Sequence, residues 1–133
     1  MIVVYTDGAC RLSGGGPGGW AFLADGELVS GGLRWTTNNA AELWAIWFAI
    51  LHVEANTNVL FVTDSRNVIG WLQRDWNRRQ PHINELCLMI TDAKREKGIK
   101  WAFKKVKGHA QNESNNIVDH AATNEALKLL RQL

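Results

Sequence analysis

Four carboxylates stand out in this chain because of what surrounds them. Asp7 closes a short apolar, β-branched run over residues 2–6 and is followed by Gly8; Asp64 closes a second such run over 58–63 and is followed by Ser65. Glu42 lies one turn into an apolar stretch of helical spacing, and Asp119 sits within Asn116-Ile117-Val118-Asp119-His120. Taken singly, each has an ordinary structural reading. An aspartate at a strand end makes a turn or a cap, and a glutamate in a first helical turn complements the helix dipole. Taken together they describe a site. Carboxylates leaving the carboxyl ends of neighbouring strands meet at the crevice where open α/β sheets bind ligands. Four acids converging without matching bases repel one another, and their pKa values rise. Divalent cations relieve that repulsion, and oxygen-only ligands point to Mg²⁺, with Mn²⁺ as a substitute, rather than to zinc. Two such ions roughly 4 Å apart are a recurring device for cleaving phosphodiester bonds.

For these acids to meet, the chain must order its elements suitably. Residues 2–6 read as a buried strand, and residues 13–19, nearly all glycine with Pro17, are expected to form a loop. Residues 20–24 and 28–35 read as two further strands joined by a hairpin turn at Asp25-Gly26, an antiparallel meander. The period then changes. Thr37, Asn38 and Asn39 are N-cap candidates for a helix over 40–54, followed by a strand over 58–63 and a short helix over 66–73. A basic linker leads to Pro81, a helix over 82–97 closed by Gly98, a strand over 99–107, a loop to residue 112 and a last helix over 113–133. The order βββ-α-β-α-α-β-α predicts one mixed α/β domain spanning residues 1–133.

Bulk properties narrow the functional classes. A chain of 133 residues is long enough for one domain with a proper core. No stretch approaches the roughly 18 apolar residues of a membrane span, because Glu42, His52 and Glu54 interrupt the longest one. No basic leader precedes an apolar segment, and Cys10 and Cys87 form no C-x-x-C pair, so a cytoplasmic protein with reduced thiols is expected. The net charge of +2 does not by itself mark a nucleic-acid binder, but Arg74, Arg78 and Arg79 cluster, as do Lys104, Lys105 and Lys107. Of seven tryptophans, Trp44 and Trp47 lie three apart on a helical pattern and read as core, whereas Trp71 and Trp76 stand beside arginines and suit a stacking role.

Thr6-Asp7-Gly8, Thr37-Asn38-Asn39-Ala40-Ala41-Glu42-Leu43, Val62-Thr63-Asp64-Ser65, Val106-Lys107-Gly108-His109 and residues 115–119 follow one another in an order that resembles ribonuclease H of type 1. The resemblance covers essentially the whole chain. It implies a five-stranded mixed sheet, antiparallel through its first three strands and parallel through the fourth and fifth, flanked by helices. It also implies an endonuclease that hydrolyses the RNA strand of RNA–DNA hybrids, leaving 5′-phosphate and 3′-hydroxyl ends. By the same resemblance Asp7 would bridge two Mg²⁺ ions, Asp119 would hold the ion beside the attacking water, and Glu42 and Asp64 the ion beside the leaving oxygen. His109 would carry protons or assist product release.

Gly8, Thr37, Asn38, Asn39, Ser65, Trp71 and Asn84 are the substrate-binding candidates. Thr37 and Asn84 match positions that grip a DNA-strand phosphate in family members. The chain departs from the pattern twice. An arginine often found two residues before that threonine is here Trp35, and strand alternation points the neighbouring Arg34 to the opposite face. Many bacterial relatives carry a long basic protrusion between the counterparts of Trp71 and Asn84, and this chain has only residues 72–83 there. A compact, stand-alone enzyme is expected, monomeric, without membrane contact or an obligate protein partner, and gripping its hybrid with few charges. A nuclease for another duplex, double-stranded RNA or a DNA junction, is the alternative enzyme. A non-catalytic hybrid-binding module is the alternative outside catalysis.

Overall fold

The computed structural model describes residues 1–107 and 112–133. Its elements are β1 (Ile2–Cys10), β2 (Gly16–Ala24), β3 (Glu27–Thr36), α1 (Asn38–His52), β4 (Asn58–Thr63), α2 (Arg66–Gln73), α3 (Pro81–Glu96), β5 (Lys100–Lys105) and α4 (Glu113–Leu130). The sheet order is β3-β2-β1-β4-β5. β1, β2 and β3 are antiparallel, while β4 runs parallel to both β1 and β5, as expected.

β1 and β2 depart furthest from the expected boundaries, for one reason, and β5 stops at Lys105, two residues short of its expected end. β1 runs on through Asp7 to Cys10, and β2 starts at Gly16 inside the glycine run, because Cys10 pairs with Gly18 and Ala9 with Gly19. Glycines carry no side-chain alternation to read, so only the partner strand reveals that segment as extended. The Asp25-Gly26 turn is as expected, both residues having positive φ (49° and 77°), which a two-residue hairpin of the mirror-image type requires.

The helices divide between the two faces of the sheet. Val4, Trp20 and Phe22 project toward α1 and share a core with Leu43, Ile46, Ile50, Phe61, Ile83 and Ile90. Tyr5, Ala9, Ala21 and Leu23, at the alternate positions of β1 and β2, meet Val118 and Ala122 of α4. α1 is apolar without interruption from Leu43 to Leu51, as suits a helix enclosed by sheet on one side and α3 on another. Trp44 and Phe48, half-buried, pack against this core, with the Phe48 ring stacked 4.0 Å from that of Trp20. At the far end of the helix the Lys97 ammonium donates to the carbonyls of Ile50 (2.9 Å) and Leu51 (2.8 Å), satisfying acceptors that the last turn leaves open.

Candidate active site

The site lies where β1 and β4 part. Their parallel pairing stops at Tyr5 opposite Val62, and Asp7 and Asp64 each stand two residues further on. In parallel strands a step of two returns to the same face, so the register that pairs Tyr5 with Val62 also sends the two aspartates to one place. Asp7 stays within the sheet, held on its other side by β2 opposite Ala21. It is 3% exposed, where a strand-end aspartate would be solvated.

Glu42 arrives from α1. Thr37 caps that helix, its hydroxyl oxygen accepting from the Ala40 N–H at 3.3 Å, and the first turn then presses onto β1 at Gly8. A Cβ on Gly8 would overlap the backbone of Ala41 and Glu42, so only glycine lets the helix descend far enough to bring Glu42 beside Asp7. Carboxylate oxygens of Asp7, Glu42 and Asp64 lie within 4.8 Å of one another. Asp119 approaches from the opposite face of the sheet on α4, close enough to Asp7 to bond with and repel it. All four expected acids converge.

Burial and mutual repulsion set their protonation. Asp7 is pushed up from 3.8 to about 7, first by burial, with the nearby Asp64 and Asp119 adding to the rise and a hydrogen bond with Glu42 opposing it. Glu42 is raised well above its ordinary value, again chiefly by burial and then by Asp7; the Gly8 N–H works in the other direction. One oxygen of Glu42, Oε2, is buried with no hydrogen-bond partner. A buried carboxylate oxygen left without a partner is costly, and a cation in contact with it removes the cost. The donor set is all oxygen, crowded and proton-retaining when bare, which fits a hard divalent ion.

The other candidates fall into two groups. Asn38 accepts from the Cys10 N–H through Oδ1 at 2.9 Å, and Asn39 accepts from the Asn67 amide at 3.3 Å, so these side chains tie the start of α1 to β1 and α2. Thr37, Asn38 and Asn39 nonetheless line a groove with Gly14, Gly15 and Gln80. Gln80, which sequence reasoning passed over, lines this groove; Asn84 is exposed on the first turn of α3, one turn beyond it. Ser65 caps α2, its Oγ accepting from the Val68 N–H at 3.2 Å. Trp71 is half-buried against the core, and its carbonyl accepts from Arg78 at 2.8 Å. Trp76 packs on Gly70 with the Arg66 guanidinium 5.3 Å from its ring centroid. Asn115, one turn before Asp119, is buried with Oδ1 unpartnered; its position in the apolar stripe of α4 was the available signal. His109 lies outside the described residues.

A family model described as RNase H matches residues 1–127. The chain belongs to the RNase H family. Within that family it is similar to the ribonuclease H of Thermoanaerobacter sp., 34% identical across 99% of this chain and 94% of the relative. A second relative, the ribonuclease H of Chromohalobacter salexigens, is 36% identical across 98% of this chain and 89% of its own length. The family's enzymes are nucleases, hydrolases of nucleic acid, and this chain is one of them. The first alignment runs over 148 positions against a chain of 133, so that relative carries at least 15 residues that this one lacks. In fold the chain is similar to LC11-RNase H1, isolated from compost and solved in complex with an RNA/DNA hybrid. That likeness has a TM-score of 0.78 at 21% identity, over 98% of this chain and 99% of the other.

Proposed function

We propose that this RNase H-family chain cuts the RNA strand of RNA–DNA hybrids internally, leaving 5′-phosphate and 3′-hydroxyl ends. The observation that carries the reading is the cluster of Asp7, Glu42 and Asp64 within 4.8 Å, with Glu42 Oε2 buried and unpartnered. Relatives named ribonuclease H across nearly the whole chain support the choice of reaction, and the structural neighbour solved with a hybrid supports the choice of substrate.

Two Mg²⁺ ions, with Mn²⁺ as a substitute, would be held by Asp7 in common, by Asp119 on one side, and by Glu42 and Asp64 on the other. Bound there, the metal supplies Lewis acidity for the attacking water and offsets charge developing on the phosphate. The protein's own part is to hold four carboxylates rigidly in place. β1 and β4 fix two by register, and helices on opposite faces supply the other two. The groove at the start of α1 offers the Thr37 hydroxyl, the exposed Asn38 amide and Gln80 to a backbone phosphate of the uncut strand.

The test incubates the protein with a labelled RNA–DNA hybrid, the matching double-stranded RNA and double-stranded DNA, in Mg²⁺ or Mn²⁺, with Asp64→Asn as control. Cleavage confined to the hybrid's RNA strand and lost in the variant is the expected result. Cleavage of another duplex would replace the substrate assignment, and tight hybrid binding without cleavage would replace catalysis by recognition.

A further inference from the structure

Trp35 is 65% exposed, far more than any other large aromatic side chain. It stands near the end of β3, two residues before the cap of α1, at an irregularity in the β2–β3 ladder where Arg34 and Trp35 together face Pro17, and it shares a groove with Ala40 and Trp44 of α1 and Leu86 and Met89 of α3. An indole left so far in water on a chain whose other aromatics are buried or half-buried calls for a reason.

The ring is also held. Gly15, at φ +119°, lies so close to it that a Cβ there would overlap the six-membered ring. Trp35 thus stands between two concavities. On one side is the polar groove of Gly14, Gly15, Thr37, Asn38 and Gln80. On the other is an apolar groove of about 260 Å³ where Trp44 and Met89 join it. Asp7 pairs with Ala21, and Gly16 with Thr36 beyond the irregularity in the ladder, which puts Trp35 two strands over and about four β2 residues further along. Strand spacing and rise make the separation from Asp7 roughly 17 Å. That span carries a duplex from the strand at the acids across the minor groove to the other strand.

We infer that Trp35 reads the sugar of the uncut strand, and so helps this chain to require DNA there. The inference rests on the hybrid-cleaving reading of the site and names what enforces one half of it. Bases inside a duplex are stacked and closed to an indole, so a ring lying along the groove meets sugars. A deoxyribose presents C2′ as an apolar CH₂, which an indole face covers well. A ribose presents a 2′-hydroxyl there, and burying it against the ring without a partner costs it its hydration. The polar groove beside the ring fits the adjoining phosphate, so one nucleotide of the uncut strand is held by both.

The experiment measures KM and kcat on hybrids whose DNA strand carries a single ribose, moved one position at a time, for wild type, Trp35→Ala and Trp35→Phe. Trp35→Ala is expected to raise KM on the all-DNA-strand hybrid about ten-fold, in line with the loss of an aromatic contact, and to leave kcat within two-fold. In wild type one position should resist ribose, with a KM several-fold higher, and Trp35→Ala should erase that position while Trp35→Phe keeps most of it. An unchanged KM in Trp35→Ala, or a ribose pattern identical in wild type and variant, would overturn the inference. Failure of wild type to cut any hybrid would instead overturn the proposed function, so the two failures are distinct.

Discussion

α1 and α4 do comparable work in very different ways. Each is a long helix packed on one face of the sheet, and each delivers one acid to Asp7. α1 buries Leu43, Ile46, Ile50 and several alanines, and its glutamate has an oxygen sealed from solvent. α4 rests on a narrow stripe of Asn115, Val118, Ala122 and Ala126, and Asp119 is only half-buried. The close approach on that side is granted by Gly19, where a Cβ would overlap the Ala122 carbonyl. The difference teaches that one side of the site is fixed by a heavy core and the other by small residues at close range. Solvent reaches Asp119, whereas one oxygen of Glu42 is closed to it.

The largest test of that contrast replaces the acids in turn. Glu42→Gln is expected to lower kcat/KM on a hybrid in Mg²⁺ by at least about 10³-fold. Asp119→Asn should cost nearer ten-fold, because solvent reaches its place. Equal losses would erase the distinction between the two helices. Next in size is the packing. Leu43→Ala on α1 should cost about 2–5 kcal/mol in urea denaturation. Val118→Ala on α4 removes less surface and should cost about 1.5 kcal/mol; the reverse order would mean that α4 carries the core.

A third expectation concerns pH in EDTA. Below the ordinary carboxylate range both folded and unfolded chains keep the Asp7 proton, and its burial costs nothing. As pH rises from 3.8 to about 7 only the unfolded chain releases that proton, so stability falls across this window. Glu42, raised well above its ordinary value, adds to the fall in the same direction. Melting temperature against pH should therefore slope downward for the metal-free protein, and less steeply for Asp7→Asn. Added Mg²⁺ should raise the melting temperature most at the alkaline end. A flat metal-free profile would show that the acids are not coupled to folding. Smallest are the caps: Thr37→Ala and Asn112→Ala each remove one acceptor at a helix start, from the N–H of Ala40 and of Asn115 respectively. Each should cost about 1 kcal/mol, and Thr37→Ala should in addition raise KM, because the same hydroxyl lines the groove offered to the uncut strand.

Much of the molecule was readable beforehand because the signals are local. β4 and α2 have the bounds their residues predict, since Val59 to Val62 is an unbroken apolar run and Ser65 is a cap in advance of Val68. Gly16 to Gly19 was not readable as strand, since its extended form depends on Ala9 and Cys10 across the ladder. Nor was the role of Trp71, whose burial depends on how α2 meets the core.

The sequence by itself determined the element order, the four acids and the chemistry that oxygen ligands imply, because residue type and spacing act within a few positions of the chain. Tertiary structure alone decided that Tyr5 stands opposite Val62, that Gly8 admits α1, and that Glu42 ends with an oxygen that no protein group satisfies. Those facts depend on register and on how closely two backbones approach. Such distances are set only when every element is packed at once.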